Sequence, residues 1–290
     1  MLDDVGDPAG TPVVYLHGTP DSRRARHPDD GLAGAAGVRL LAVDRPGYGG
    51  SSPLPGGAGD PAWPDVVAAD VGAALDALGL ARAAVLAWSG GALAGVALAA
   101  APGPLAGRVA ALGIVAGLVP RQAYDDPAVR AAGEGRLGVI EMAGAVPPGQ
   151  LGAAVAPMLA PFPCDLELAA EHQAAGRSPS DAAELDAVEG GTDAMAAGLV
   201  EAVRLGLAGV EADVEAQARP LPVDLGRVGC PVRLWYGAAD EVTPPAFGRW
   251  YAAHLPASEL TVVPDAGHYL AFTRWSEMLA ALAALSATPP

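Results

Sequence analysis

Six short apolar runs, Val13–Leu16, Val38–Val43, Ala84–Ala87, Val109–Val115, Val232–Tyr236 and Leu260–Val263, each end in a turn signal and are separated by amphipathic or alanine-rich stretches. Runs of this length set between helical patterns read as strands alternating with helices. Strands that are apolar throughout, rather than at every second residue, belong to a mostly parallel sheet covered by helices on both faces. The expected class is therefore α/β.

The alternation stops after Val119. From Pro120 to about Pro222 the sequence reads as short, acidic, alanine-rich helices broken at Pro147-Pro148, Pro161–Pro163, Ser178-Pro179 and Gly190-Gly191, with no strand pattern. Strand-like sequence resumes at Pro231-Val232. The expected organisation is a core in two parts, residues 1–119 and 223–290, with an all-helical cap inserted at 120–222. Between the second and third strands, Asp60 is placed to cap a helix with Pro61 in its first position. Val67, Val71, Ala74, Leu75 and Leu78 form its apolar face until Gly79 ends it. Asp65, Asp70 and Asp76 read as its solvated face.

Composition narrows the partners. The formal charge of −16 opposes nucleic acid and anionic membrane surfaces and favours a small-molecule substrate. Cys164 and Cys230 are too few and too far apart for a disulfide framework or a zinc pattern, so two reduced thiols and no metal or cofactor are expected. Met1-Leu2-Asp3-Asp4 lacks the basic-then-apolar form of a secretory signal, and a cytoplasmic protein is expected. Ala83–Gly107 carries no charge and is long enough to cross a bilayer. Its glycines and prolines, its alanine rather than leucine content and its lack of basic flanks argue against a span. Whether the chain is a monomer or a homodimer is not legible in the sequence.

The chemistry begins at Ala87-Trp88-Ser89-Gly90-Gly91, which follows one apolar run and precedes a small-residue helix pattern. A serine flanked by small residues at a strand-to-helix junction has the form of a nucleophile elbow. In a chain with 38 glycines such a string also arises by composition. A serine hydroxyl is a poor nucleophile unless a base and an orienting carboxylate reach it. Of five histidines, only His268 lies in a glycine-flanked loop, Asp265-Ala266-Gly267-His268, straight after an expected strand. Asp240, in Gly237-Ala238-Ala239-Asp240, holds the equivalent place after the preceding strand. The ends of parallel strands are where such sheets place ligands. Asp240 could instead cap the helix beginning near Pro244, with Glu241 the nearest substitute.

Ser89, Asp240 and His268 in that order, on an elbow, resemble the α/β-hydrolase fold superfamily, in its serine-hydrolase branch with a helical cap. The resemblance extends over nearly the whole chain. His17-Gly18-Thr19-Pro20 resembles the family's oxyanion loop, Asp44-Arg45-Pro46-Gly47-Tyr48-Gly49-Gly50-Ser51 its glycine-rich turn, and Gly237–Pro244 its acid loop. The resemblance implies that Ser89 attacks, that His268 is general base and then acid, and that Asp240 orients the imidazole. It also implies that the backbone N–H groups of Thr19 and Gly90 receive the developing oxyanion. Trp88 is a candidate substrate contact. His17 reads as shaping its loop, Asp44 and Arg45 as a polar pair fixing a turn, and His172 as a surface residue.

Two departures from the family pattern stand out. The family has two further strands before the His17 loop's strand, whereas twelve residues precede Val13, so the fold is expected to be N-terminally shortened, with at most a short edge strand at Leu2–Val5. Ala87 also stands where glycine is usual.

Serine at the elbow sets aside the epoxide and halide chemistry of aspartate relatives. The leading expectation is hydrolysis of a small to medium ester, thioester or amide through an acyl-serine. Val155, Met158, Leu159, Phe162, Leu166 and Leu168 could roof a pocket or form cap core. One alternative is an aminopeptidase similar to the proline iminopeptidases, with Asp165, Glu167 and Glu171 as candidates for holding an amino terminus. Carbon–carbon bond hydrolysis and a non-catalytic ligand-binding role complete the alternatives.

Overall fold

The computed structural model describes residues 1–160 and 165–287. Seven strands form one sheet in the order β1-β3-β2-β4-β5-β6-β7. They are β1 (Leu2–Gly6), β2 (Thr11–Leu16), β3 (Val38–Val43), β4 (Ala83–Trp88), β5 (Val109–Val115), β6 (Val232–Gly237) and β7 (Ser258–Val263). All six apolar runs are strands. Ladder pairing carries several of them a residue or two beyond their apolar stretch, as where Thr11 pairs with Val38 and Gly237 with Val263. Neighbours from β2 to β7 pair in parallel, while β1 runs antiparallel to β3.

The short segment at Leu2–Val5 is thus the outermost strand on one side. Its acids discourage further pairing along that edge, and they are tied down: Asp4 takes a bidentate contact from Arg39, and Asp3 bonds Arg23. Strands β4 and β5 are buried along their whole length. The other edge, β7, is largely exposed, so full cover on both faces does not extend to it.

Helices α1 (Gly31–Ala35), α2 (Trp63–Ala77) and α3 (Gly91–Ala99) connect the first strands. Helix α2 begins at Trp63, two residues later than expected. Asp60 is occupied in the preceding turn, where its carboxylate accepts from the backbone N–H groups of Gly56 and Ala62, and it caps no helix. The uncharged Ala83–Gly107 stretch divides into β4, α3 and a short turn. No described helix is long and apolar enough to cross a membrane.

Between β5 and β6 no described residue is in a strand. Helices α4 (Pro127–Ala132), α5 (Leu137–Ala145), α6 (Gln150–Leu159), α7 (Leu166–Ala175), α8 (Pro179–Asp186), α9 (Gly191–Ala202) and α10 (Ala208–Ala218) fill the interval. They hold small apolar clusters of their own, and Tyr48 of the core is buried in one of them with Leu199 and Val210. Helices α11 (Pro245–His254), α12 (Leu270–Thr273) and α13 (Trp275–Ala287) complete the chain. One sheet face packs on α2, α3 and α11, the other on α1, α12 and α13. Phe162, Cys164 and the Pro161–Pro163 break lie outside the described residues. Cys230 is a buried free thiol whose pKa burial pushes up to about 11.

Candidate active site

The chain leaves β4 at Trp88, and Ser89 adopts φ +53° before α3 begins at Gly91. A side-chain-bearing residue in that region is strained, and here the turn is fixed on both sides of the peptide. Ser89 N–H donates to the Val115 carbonyl, and the Ser89 carbonyl accepts from Ala92 and Leu118. The glycine after the turn is demanded by space: a Cβ on Gly91 would lie 2.4 Å from the Leu16 carbonyl oxygen. Ala87 is accommodated in a related way. A Cβ on Gly95, one helical turn into α3, would meet the Ala87 methyl at 2.8 Å, so the missing methyl of Gly95 makes room for the one Ala87 carries.

His268 sits in the loop between β7 and α12 and is buried. Its Nε2 is 3.0 Å from Ser89 Oγ and its Nδ1 is 2.9 Å from Asp240 Oδ2. Asp240 also accepts from the N–H groups of Val242 and Thr243, both at 2.8 Å, and from Thr243 Oγ1 at 2.6 Å. Burial opposes the charged form of this carboxyl. The imidazole beside it and the Thr243 donors outweigh burial and hold it below the ordinary carboxyl range. Asp240 thus shapes the turn before α11 while it faces His268. The histidine backbone is also held: its N–H donates to Asp181 Oδ1 at 2.6 Å, and its carbonyl accepts from Trp88 Nε1 at 3.1 Å. Trp88 lines the cavity above Ser89, yet its ring is buried among core residues and its N–H steadies the His268 loop.

Thr19 faces the elbow, since a Cβ on Gly90 would fall against Thr19 Oγ1. Among the described residues, neither the Thr19 nor the Gly90 backbone N–H has a protein acceptor. Two free donors beside a serine hydroxyl form a cradle for negative charge. The loop is braced from behind. His17 is fully buried and accepts from the Arg45 N–H at Nε2, and burial first, then the Arg45 charge, keeps it neutral. The Arg45 guanidinium donates to the carbonyls of His17 and Gly18 and to Asp213 of α10. Asp44 instead accepts from Arg23 and Gly50, so Asp44 fixes the turn while Arg45 joins the loop to α10; the two do not pair.

A cavity of about 290 Å³ lies over Ser89, walled by strand-end residues below and by the helices between β5 and β6 above. Of the apolar residues expected as roof, Leu159 lines it, while Met158, Leu166 and Leu168 are exposed and Val155 faces a neighbouring hollow. On α7, Ala169, His172, Gln173 and the following Gly176 share one helical face; Ala169 is buried, and the other three line the cavity. That geometry carries Glu167, Leu168 and Glu171 to the outside. His172 is exposed, as the sequence reading has it, and also lines the cavity, while Asp165 caps α7 outside it.

Sequence reasoning passed over Asp213, Gln217, Arg136 and Arg177. Gln217 donates to Thr19 Oγ1 at 3.0 Å and accepts from Arg136 at 2.8 Å. A signal was present: Asp213 and Gln217 share a helical face with Val210 and Val214, where a solvated acid and amide do not belong.

A family model described as the alpha/beta hydrolase family matches residues 13–284. An alpha/beta hydrolase fold protein from Nakamurella multipartita is 31% identical, with a TM-score of 0.64, over 97% of this chain and 95% of that one. An esterase from Rhodococcus sp. ECU1013 shares the fold at 22% identity and a TM-score of 0.62, over 98% and 94%. In sequence, a pimeloyl-[acyl-carrier protein] methyl ester esterase from Chromobacterium violaceum is 41% identical over 70 residues, 24% of this chain. That match spans only 26% of the esterase's length. With the family model matched over nearly its whole length on a parallel sheet of the same fold, the chain belongs to the alpha/beta hydrolase family.

Proposed function

We propose that the protein hydrolyses small carboxylic esters through an acyl-enzyme on Ser89, with His268 as base and then acid and Asp240 as the group that orients it. The observation that carries this reading is the line from Ser89 Oγ through His268 Nε2, 3.0 Å away, and Nδ1 to Asp240 Oδ2 at 2.9 Å, beside two N–H groups without acceptors. His268 takes the Ser89 proton as Oγ attacks the ester carbon, and the carbonyl oxygen becomes an oxyanion held by the N–H groups of Thr19 and Gly90. Collapse breaks the acyl–alkoxy bond, and His268 returns the proton to the departing alcohol. Water then attacks the acyl-serine with His268 again as base, which releases the acid and restores Ser89. Residues 120–222 act as a cap that sets what enters.

The amine-holding alternative loses its candidate residues, since Glu167 and Glu171 face away from the cavity and Asp165 does not line it. Labelling with a fluorophosphonate probe, read beside turnover of 4-nitrophenyl esters of graded acyl length by wild type and Ser89→Ala, tests the reading. Expected are stoichiometric labelling at Ser89 and turnover that Ser89→Ala abolishes. Folded protein that stays unlabelled would overturn it.

A further inference from the structure

Seventeen arginines supply the fixed positive charge of a chain whose net charge is −16, and it contains no lysine. Among the described residues, all but six of them pair with a carboxylate. Among those six, Arg24, Arg82, Arg227 and Arg249 are exposed to water. The other two, Arg136 and Arg177, are partly buried, and both line the cavity over Ser89. In a chain so rich in acids, leaving cations unpaired in a partly dry cavity while carboxylates crowd the surface calls for a negative partner that is not part of the protein.

The local bonding supports this. The side chain of Arg136 makes one hydrogen bond, from Nη2 to Gln217 Oε1 at 2.8 Å, and no carboxylate among the described residues reaches it. Burial disfavours its charged form, with only Tyr124 acting in the other direction. Arg177 donates from Nη1 to Thr192 Oγ1 at 3.2 Å and lies 6.0 Å from the centre of the Tyr269 ring, while its Nε and Nη2 have no partner among the described residues. Two acids line the same cavity, and among the described residues neither forms an ion pair with Arg136 or Arg177. Asp181 is engaged by the His268 N–H at 2.6 Å, and burial holds Asp21 toward its neutral form. Since Arg136 bonds Gln217 and Gln217 bonds Thr19, its position is fixed relative to the Thr19 loop and so to Ser89.

We propose that the substrate carries, besides its scissile ester, an anionic oxygen group, carboxylate or phosphate, which Arg136 and Arg177 hold in the cavity. A guanidinium presents paired N–H donors matched to either group. The volume of about 290 Å³ limits the ligand to a small one, such as a short half-ester of a dicarboxylic acid or an ester of a phosphorylated alcohol. The anion is a spectator in the bond changes, and it positions the ester carbon over Ser89. This inference deepens the ester-hydrolase reading and rests on it.

The test compares the mono-4-nitrophenyl ester of glutaric acid with 4-nitrophenyl pentanoate, its neutral counterpart, on wild type, Arg136→Gln, Arg136→Lys and Arg177→Gln. Wild type is expected to favour the anionic ester in kcat/KM by at least about tenfold, the scale of one charge-assisted hydrogen bond. Each glutamine variant is expected to shrink that ratio about tenfold, and Arg136→Lys to keep part of it. Because the readout is a ratio within one preparation, partial misfolding does not imitate the result. Inhibition by glutarate and by inorganic phosphate tells which anion is preferred. Calorimetric binding of the same two anions to Ser89→Ala, with and without Arg136→Gln, separates this inference from the hydrolase reading. If Ser89 resists fluorophosphonate while glutarate or phosphate still binds through Arg136, the hydrolase reading fails and the anion seat stands. If the two esters are hydrolysed alike, the variants leave their ratio unchanged and neither anion binds, the inference is overturned.

Discussion

Asp213 of α10 accepts from Arg45 Nη2 at 2.6 Å and from the Tyr48 hydroxyl at 2.7 Å, so a helix of the segment between β5 and β6 is locked onto the loop that follows β3, and through Thr19 Oγ1 onto the loop that follows β2. The side chains of Asp213, Arg45 and Tyr48 are buried. Two charges removed from water must be well paired to be tolerated, and deleting one leaves the other stranded. Asp213→Ala is expected to lower unfolding stability by about 3 kcal/mol in urea titration. It is also expected to slow ester turnover, because Thr19 Oγ1 and the Gly18 carbonyl share this network. Loss of stability with turnover unchanged would separate the network from the Thr19 loop.

The Ala87–Gly95 contact gives a second expectation. Gly95→Ala places two methyl carbons 2.8 Å apart beneath the elbow and is expected to destabilise by about 1–3 kcal/mol. Ala87→Gly in the same chain removes the clash, so the double variant is expected to be more stable than Gly95→Ala alone. Thermal melting of the two single variants and the double variant reads the coupling. Strict additivity would show that the helix shifts rather than collides.

Much of this site was legible because small-residue spacing and strand ends are local features. The six strands follow from apolar runs bounded by turns, and Ser89, Asp240 and His268 each follow one of them. The start of α2 was misjudged for an equally local reason: Asp60 bonds within its turn, and sequence spacing alone does not choose between two short-range uses of one carboxylate. What lay beyond reach was long-range. Nothing near Arg45 says that its partner is Asp213, 168 positions away. Met158 of α6 and Leu166 and Leu168 of α7 look in sequence like roof or core residues, yet the fold leaves all three exposed. Arg136 and Arg177 look ordinary in sequence, and only the pairing of every other inward arginine with a described carboxylate makes them distinctive.

Asp240 carries a third expectation. Asp240→Asn keeps the volume but removes the charge facing His268, and on the proposed reading of Ser89, His268 and Asp240 as a triad it is expected to lower kcat by about 10⁴-fold. The same group bears on acid stability. Its folded pKa lies below the ordinary value, so ionised Asp240 contributes stability at pH above about 4 that is lost as pH falls through its folded pKa. The acid-unfolding curve of Asp240→Asn is expected to be shallower than that of wild type below pH 4. Parallel curves would show that the carboxylate gains nothing on folding.

Glu184 of α8 works in the opposite direction. It is buried near Asp181, Asp240 and His268, and its Oε2 has no hydrogen-bond partner among the described residues. Burial first, and then the carboxylates of Asp181 and Asp240, push its pKa up to about 7, against the Gly267 N–H and His268, which favour the charged form. An acid whose pKa rises on folding holds its proton more tightly in the native state than in the unfolded chain. Stability from this group is therefore fully present below its unfolded pKa, about 4.5, and is lost as pH rises to and beyond about 7. Glu184→Gln retains the neutral shape and cannot ionise. Relative to wild type, the variant is expected to gain on the order of 1–3 kcal/mol between pH 5 and pH 8, measured by urea unfolding at both values. A difference that stays constant across that range would mean that Glu184 is already charged at pH 5, with its Oε2 satisfied by water.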